Sequence, residues 1–216
     1  MAEHYDSAYD DPRHRGRLVH ARLQAALSLL PGEPGRALDA GMGGGRLVEA
    51  LDRRGWTVTG IDLSKAMVDL ARRRVPGLGD ALLVGPVERL PFDNDVFDAV
   101  TALGVLEFTE DVTLALGELA RVLRAGGIGV VSWPNFGGVY TAWRQGIVNP
   151  LARAVGRPSP PSTRNRLDRT EFAALLEAQG LRPERTILLS PHGATLGSGV
   201  RSRLAAQLVF AARKQP

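Results

Sequence analysis

Three glycines at alternate positions stand directly behind an acidic residue. They are Gly41, Gly43 and Gly45 behind Asp39, in the run Arg36-Ala-Leu-Asp-Ala-Gly-Met-Gly-Gly-Gly-Arg46. The apolar residues before them read as a short buried strand, and the chain from Arg46 reads as a helix. Glycine admits positive φ and lets a ligand approach the backbone with no Cβ in the way. The helix start beyond it offers free N–H groups. In an α/β sheet, such a turn after the first strand is a nucleotide-cofactor site. The dinucleotide pattern G-x-G-x-x-G/A does not fit: the last position is Arg46 counted from Gly41 and Val48 counted from Gly43, and neither is small.

A second acidic residue follows at the right distance. Thr57-Val-Thr-Gly-Ile61 is an apolar strand ending at Asp62. A carboxylate about 20 positions past the glycines can accept hydrogen bonds from ribose hydroxyls. Asp62-Leu63-Ser64 also opens a helix, with Ser64 placed as its N-cap.

The pattern Asp39, Gly41, Gly43, Gly45 resembles the first motif of the class I S-adenosylmethionine-dependent methyltransferases. Three later stretches resemble that family in the same order. Gly85-Pro-Val-Glu-Arg-Leu-Pro-Phe92 with Phe97-Asp98 is similar to its G-D-A-E-x-L-P-F and S-F-D. Leu106-Glu107-Phe108 stands where the family often has L-E-H. Arg121-Val-Leu-Arg-Ala-Gly-Gly127 is similar to R-V-L-K-P-G-G. The resemblance is close from about Ala37 to Trp133 and looser elsewhere, and within the family it points to the small-molecule enzymes of the ubiquinone/menaquinone-biosynthesis type.

That resemblance implies S-adenosylmethionine as cofactor and S-adenosylhomocysteine as product. Asp39 and the three glycines would hold the methionyl end and Asp62 the ribose. Leu63, Val87 and Glu88 would bracket the adenine, with Met67 and Leu103 completing the pocket. Tyr5-Asp6 and Tyr9-Asp10 resemble N-terminal segments that fold over the cofactor, which puts Tyr9 beside the acceptor. Two positions depart from the pattern. Pro86 replaces the usual aspartate and carries neither its acceptor nor a backbone donor. Phe108 replaces the common histidine, which excludes a catalytic histidine there.

The elements needed to position these residues can be read along the chain. Alternating strands and helices predict a Rossmann-like, doubly wound α/β fold with helices on both faces of a seven-stranded, mostly parallel sheet. Leu181–Ser190 and Gln207–Arg213 are expected as an antiparallel pair at its edge. One domain is expected over residues 1–216. It would comprise an N-terminal helical segment (1–35), a cofactor-binding core (36–133), a substrate lid (134–167), and a C-terminal helix with edge strands (168–216). In the first of these, Leu18, Val19, Arg22, Leu23, Ala26, Leu27 and Leu30 recur at near-helical spacing. The lid interrupts the alternation and would lie over the carboxyl ends of the strands. It brings Trp133, Phe136, Tyr140 and Trp143 as acceptor-binding aromatics, followed by Arg-Pro-Ser-Pro-Pro-Ser at 157–162.

Methyl transfer to an oxygen, nitrogen or carbon nucleophile needs alignment above all. A hydroxyl or amine acceptor also needs a base. Glu107, at the end of the fourth strand, and His192, in the loop between the last two strands, are the best-placed candidates, with His4 and His20 the others, and an already acidic acceptor would need none. No cysteine is present, which excludes thiol nucleophiles and thiolate metal sites, and no histidine pair has ligand spacing, so no metal is implied. The net charge is +4, and of 27 basic residues only Lys65 and Lys214 are lysine. Arginine suits anionic partners, yet no nucleic-acid module accompanies it, so a small-molecule acceptor is expected over nucleic acid. No stretch reaches the roughly 20 apolar residues of a membrane span. A polar N-terminus gives a cytoplasmic expectation. A nicotinamide-dependent oxidoreductase is opposed by the glycine spacing and by the lack of a Tyr-x-x-x-Lys pair. A non-catalytic, cofactor-binding regulator on the same fold stays open, because of Pro86 and the absence of a clear base.

Overall fold

The computed structural model describes residues 14–150, 163–196 and 203–216. Eight strands form one sheet: β1 (Arg36–Ala40), β2 (Thr57–Asp62), β3 (Leu82–Val84), β4 (Phe97–Ala102), β5 (Leu123–Pro134), β6 (Leu181–Leu189), β7 (Thr195–Leu196) and β8 (Gln207–Lys214). Their order is β3-β2-β1-β4-β5-β8-β6-β7. The first five are mutually parallel, whereas β8 runs antiparallel to both β5 and β6.

The helices are α1 (His14–Leu29), α2 (Arg46–Asp52), α3 (Lys65–Arg74), α4 (Val112–Val122), α5 (Val139–Trp143) and α6 (Arg169–Ala178). Three of these six begin where the sequence supplies a side-chain cap. Ser64 accepts from the Met67 N–H, and Asp111 from Thr113 and Leu114. Asp168 and Glu171 form a reciprocal capping box. α6 ends ahead of Gly180, whose φ of +74° fits a helix stop that only glycine takes readily. No helix of the described residues is long and apolar enough to cross a membrane.

The sheet is covered on both faces, as a parallel sheet requires. Side chains alternate across a strand. So Leu208, Phe210 and Ala212 of β8 join one core with α4 and α6, while Val209 and Ala211 join the other with α1, α2 and α3. β1 divides likewise, with Leu38 and Ala40 on the first side and Ala37 on the second.

The expected antiparallel pair β6 and β8 forms at this side of the sheet, with β8 against β5 and buried almost continuously from Gln207 to Ala212. One expectation is corrected: the sheet gains an eighth strand, the two-residue β7, which pairs back on the end of β6.

Candidate active site

The strand order reverses between β1 and β4, and the crevice beyond their carboxyl ends is the ligand position in such sheets. The glycine turn sits there. Gly41 N–H and Met42 N–H both donate to the Ile61 carbonyl, at 2.8 and 3.1 Å, which ties the turn to the end of β2. Gly43 has φ +53°, and a Cβ added there would meet nothing within 4 Å, so its outer side is open to a ligand. Gly45, with φ +78°, is the N-cap residue of α2 and packs against Ala71, where a side chain would collide.

Two carboxyls flank this turn. Asp62 accepts from Gly43 N–H and from Ser64 N–H, each at 2.9 Å, so it braces the glycine turn and the start of α3 together. Asp39 is buried beneath and accepts from the Thr101 hydroxyl of β4 at 2.7 Å. Burial pushes its pKa up to about 7; the Thr101 hydrogen bond opposes this, Asp62 adds to it, and Arg22 opposes it.

Glu107 follows β4 in a short 3-10 turn, Leu106–Phe108. Its side chain is buried, and among the described residues its Oε2 is a buried oxygen with no hydrogen-bond partner. Burial raises its pKa, with its own backbone N–H and Arg22 acting in the other direction. The stretch that leads into α6 is fastened here. Arg164 N–H and Asn165 N–H donate to the Glu107 carbonyl, and the Asn165 amide donates to the carbonyls of Leu106 and Thr109.

Arg22 of α1 is 6% exposed, and its positive charge acts on both Asp39 and Glu107. A Cβ on Gly104 would strike its guanidinium, so Gly104 is the gap that admits it beside the end of β4. The arrangement is therefore an arginine between two buried carboxyls, below a glycine turn open on its outer side. A cationic ligand end beside Asp39, and hydroxyls within reach of Asp62, suit those acceptors.

Residues 38–131 match the family model for a methyltransferase domain. The chain is 35% identical to a demethylmenaquinone methyltransferase of Beutenbergia cavernae over 77% of this chain and 72% of that protein. It belongs to the class I S-adenosylmethionine-dependent methyltransferases. A ubiquinone biosynthesis O-methyltransferase of Alkalilimnicola ehrlichii is 36% identical, over 60% of this chain and 56% of that one. In fold, the chain is similar to a Thermotoga maritima methyltransferase described as a possible histamine N-methyltransferase. The TM-score is 0.72 at 23% identity, covering 99% of this chain and 96% of that one.

The structure of this methyltransferase sorts the residues singled out from sequence. Asp39, Gly41, Gly43, Gly45 and Asp62 come together at the crevice. Leu63 is exposed and Met67 and Leu103 are half-buried at its rim, while Val87 is buried. Glu88 is already engaged, accepting from Glu110 N–H at 2.8 Å. The two base candidates part company: Glu107 is buried, whereas His192 is exposed on a loop whose Gly193 packs on α1 at Arg17 and Ala21. His20 is exposed on α1. Tyr9 and His4 lie outside the described residues.

The lid aromatics also divide. Trp133 was expected to face an acceptor, but it is fully buried, stacked on Phe172 at 4.2 Å, with its indole N–H donating to Leu167 O at 2.9 Å. As the residue two beyond Val131, it falls on the α4–α6 side of β5 and is a structural brace. Phe136 packs edge-on against it, under the Arg166 guanidinium. Tyr140 is half-buried, and Trp143 points outward, 52% exposed. For Arg22 the sequence offers one signal, an arginine on an otherwise apolar helical stripe, because a charge is buried only where something compensates it.

Proposed function

We propose that this methyltransferase acts on a small-molecule acceptor by in-line displacement, with Glu107 as the group that takes the acceptor's proton. The single observation that carries this is the buried Glu107 carboxyl, raised in pKa and with one oxygen unpartnered, set where the stretch that leads into α6 crosses the end of β4. S-adenosylmethionine supplies a methyl already activated as a sulfonium. Asp39 would balance the cationic methionyl end, Asp62 would accept from the ribose hydroxyls, and Gly41, Gly43 and Gly45 would let the backbone close on the ligand. Leu63, Met67, Val87, Glu88 and Leu103 would enclose the adenine side. Phe136 and Tyr140 would offer the acceptor an apolar wall.

A base in this position is matched to its task when its pKa lies near the working pH, and burial moves Glu107 that way. In the displacement the acceptor's lone pair forms the new bond to carbon, the carbon–sulfur electron pair stays with sulfur, and the proton passes to the Glu107 carboxylate. The names of the quinone-biosynthesis relatives support a planar, apolar acceptor.

Calorimetric titration with S-adenosylhomocysteine, followed by a screen for acceptors that gain the mass of one methyl, tests the reading. Asp62→Ala should weaken binding about tenfold, or 1.4 kcal/mol, the scale of one hydrogen bond to a charged group. Unchanged affinity would remove Asp62 from the ribose. Tight binding with no methylated product across phenols, amines and quinols would favour the regulator.

A further inference from the structure

α1 packs on β5, β6 and β8 and stops at Leu29. The cause is local: Leu30-Pro-Gly-Glu-Pro-Gly35 sets prolines and glycines directly behind it. The same face of the sheet runs on past the helix, carrying Ile128 of β5 and Ala211 of β8. Between that face and the turn over residues 30–35 lies a cavity of about 640 Å³. It opens at the amino ends of β1, β4 and β5, the opposite end of the strands from the glycine turn. Its size is that of a small-molecule site, roughly 300–1,000 Å³.

Two irregularities in the strands shape this cavity. β5 carries Arg124–Gly127 opposite the single residue Asp98, between the pairs Phe97–Leu123 and Ala99–Ile128. β6 carries Glu184 as an extra residue between the pairs Pro183–Ala212 and Arg185–Ala211. Such bulges re-aim side chains. Arg213 ties the two together, donating to both Glu184 carboxylate oxygens, at 2.7 and 3.0 Å, and to the Gly126 carbonyl at 2.8 Å. Arg124 pairs with Asp98 at 2.6 Å. The rim is therefore held by its own ion pairs. The floor is apolar, formed by the buried Leu29, Trp56, Ile128 and Ala211.

The lining holds three carboxylates, Glu33, Asp98 and Glu184, and three guanidiniums, Arg124, Arg185 and Arg213. Two of each satisfy one another. Among the described residues, the side chains of Glu33 and Arg185 are exposed and in no hydrogen bond or ion pair. Glu33 stands on the turn. Arg185 stands on the sheet, directly opposite Ala211 and so on the same face. One unmatched charge of each sign above an apolar floor fits a ligand with one charge of each sign and an apolar body. A guanidinium takes a carboxylate through two parallel hydrogen bonds. An ammonium is favoured near Glu33 for a second reason: the last turn of α1 has no basic residue, and a helix C-terminus attracts cations. A dianion such as phosphate would set its charge against three carboxylates.

We propose that this cavity binds an apolar α-amino acid, with its carboxylate on Arg185, its ammonium on Glu33 and its side chain on the Trp56 and Ile128 floor. The site is separate from the cofactor crevice and does not rest on the proposed reaction.

The full chain would be dialysed to equilibrium against radiolabelled L-phenylalanine or L-leucine, once alone and once with saturating S-adenosylhomocysteine. The expected result in both is one saturable site with a Kd of about 1 mM or tighter. Phenylacetate, which lacks the ammonium, and phenethylamine, which lacks the carboxylate, should compete at least about tenfold more weakly. Arg185→Ala and Glu33→Gln should each weaken binding by about tenfold or more. Both variants should melt at the temperature of the natural chain, since neither side chain loses a partner. The readout needs neither methyl transfer nor an acceptor, so it can fail independently of the proposed reaction. Absence of saturable binding by both amino acids would overturn the proposal. So would binding that survives the two substitutions, or displacement by S-adenosylhomocysteine, which would place the amino acid in the cofactor crevice. Equal binding of phenylacetate would overturn it as well, giving the cavity to simple carboxylates.

Discussion

Replacing Asp39 with asparagine should make the protein more resistant to unfolding as pH rises. The carboxyl lies fully buried under the glycine turn, and its pKa is raised from 3.8 to about 7. Between those values the unfolded chain has released a proton that the native protein keeps. The unfolded state then binds fewer protons, so native stability falls with rising pH through that interval and levels off above it. At 1.36 kcal/mol per pH unit, ionising Asp39 costs the native state about 4 kcal/mol by pH 8. Asparagine has no such term. Its amide brings N–H groups that need acceptors, a penalty of about 1–3 kcal/mol, but that penalty does not depend on pH. The quantity to follow is therefore the difference between the two proteins. Urea unfolding or melting curves from pH 4 to 9 should show Asp39→Asn gaining on the natural chain up to about pH 7, then holding its gain. For a chain of this size about 2–4 °C accompanies each kcal/mol, so the relative shift should approach 10 °C. Parallel curves across the whole range would refute the buried, protonated carboxyl.

Glu107→Gln should leave folding and S-adenosylhomocysteine affinity intact, because the amide keeps the side chain's size and shape and removes only its capacity to take a proton. It should slow methyl transfer to a hydroxyl or amine by about 100- to 10,000-fold and remove the acid limb of the rate profile; an unchanged rate would place proton removal elsewhere. Gly43→Ala should fold, since its Cβ would meet open space, at a cost of about 1–2 kcal/mol for a left-handed non-glycine residue. The added methyl should weaken cofactor binding about tenfold or more; calorimetry showing no change would mean that the ligand does not cross that glycine.

The parts of the site that could be read in the sequence are those encoded locally. The alternating glycines, Asp62 after a strand and the cap residue Ser64 each express their conformation within a few positions. Arg22 could not be placed that way, because what it meets lies at Asp39, Gly104 and Glu107, on other elements. The place of β8 inside the sheet depends on its pairing with both β5 and β6, a non-local choice that composition does not encode. Trp133 shows a different conflict: its sequence neighbours group it with the lid, while the period-two alternation through Val131 turns it toward Phe172.

The Trp133 indole bonded to the Leu167 carbonyl has a consequence for how such an enzyme diversifies. It fastens the two ends of the lid to each other at 2.9 Å, with the Asn165 bonds beside it. A segment clamped at its neck transmits little of its own length to what lies below. Doubling a closed loop costs only about 0.6 kcal/mol of closure entropy. Residues between the clamp points can thus be lengthened, shortened or exchanged while the cofactor crevice and the β4 turn stay put. The stretch between the clamp points is an interchangeable cassette, open to replacement as a whole without renegotiating the fold.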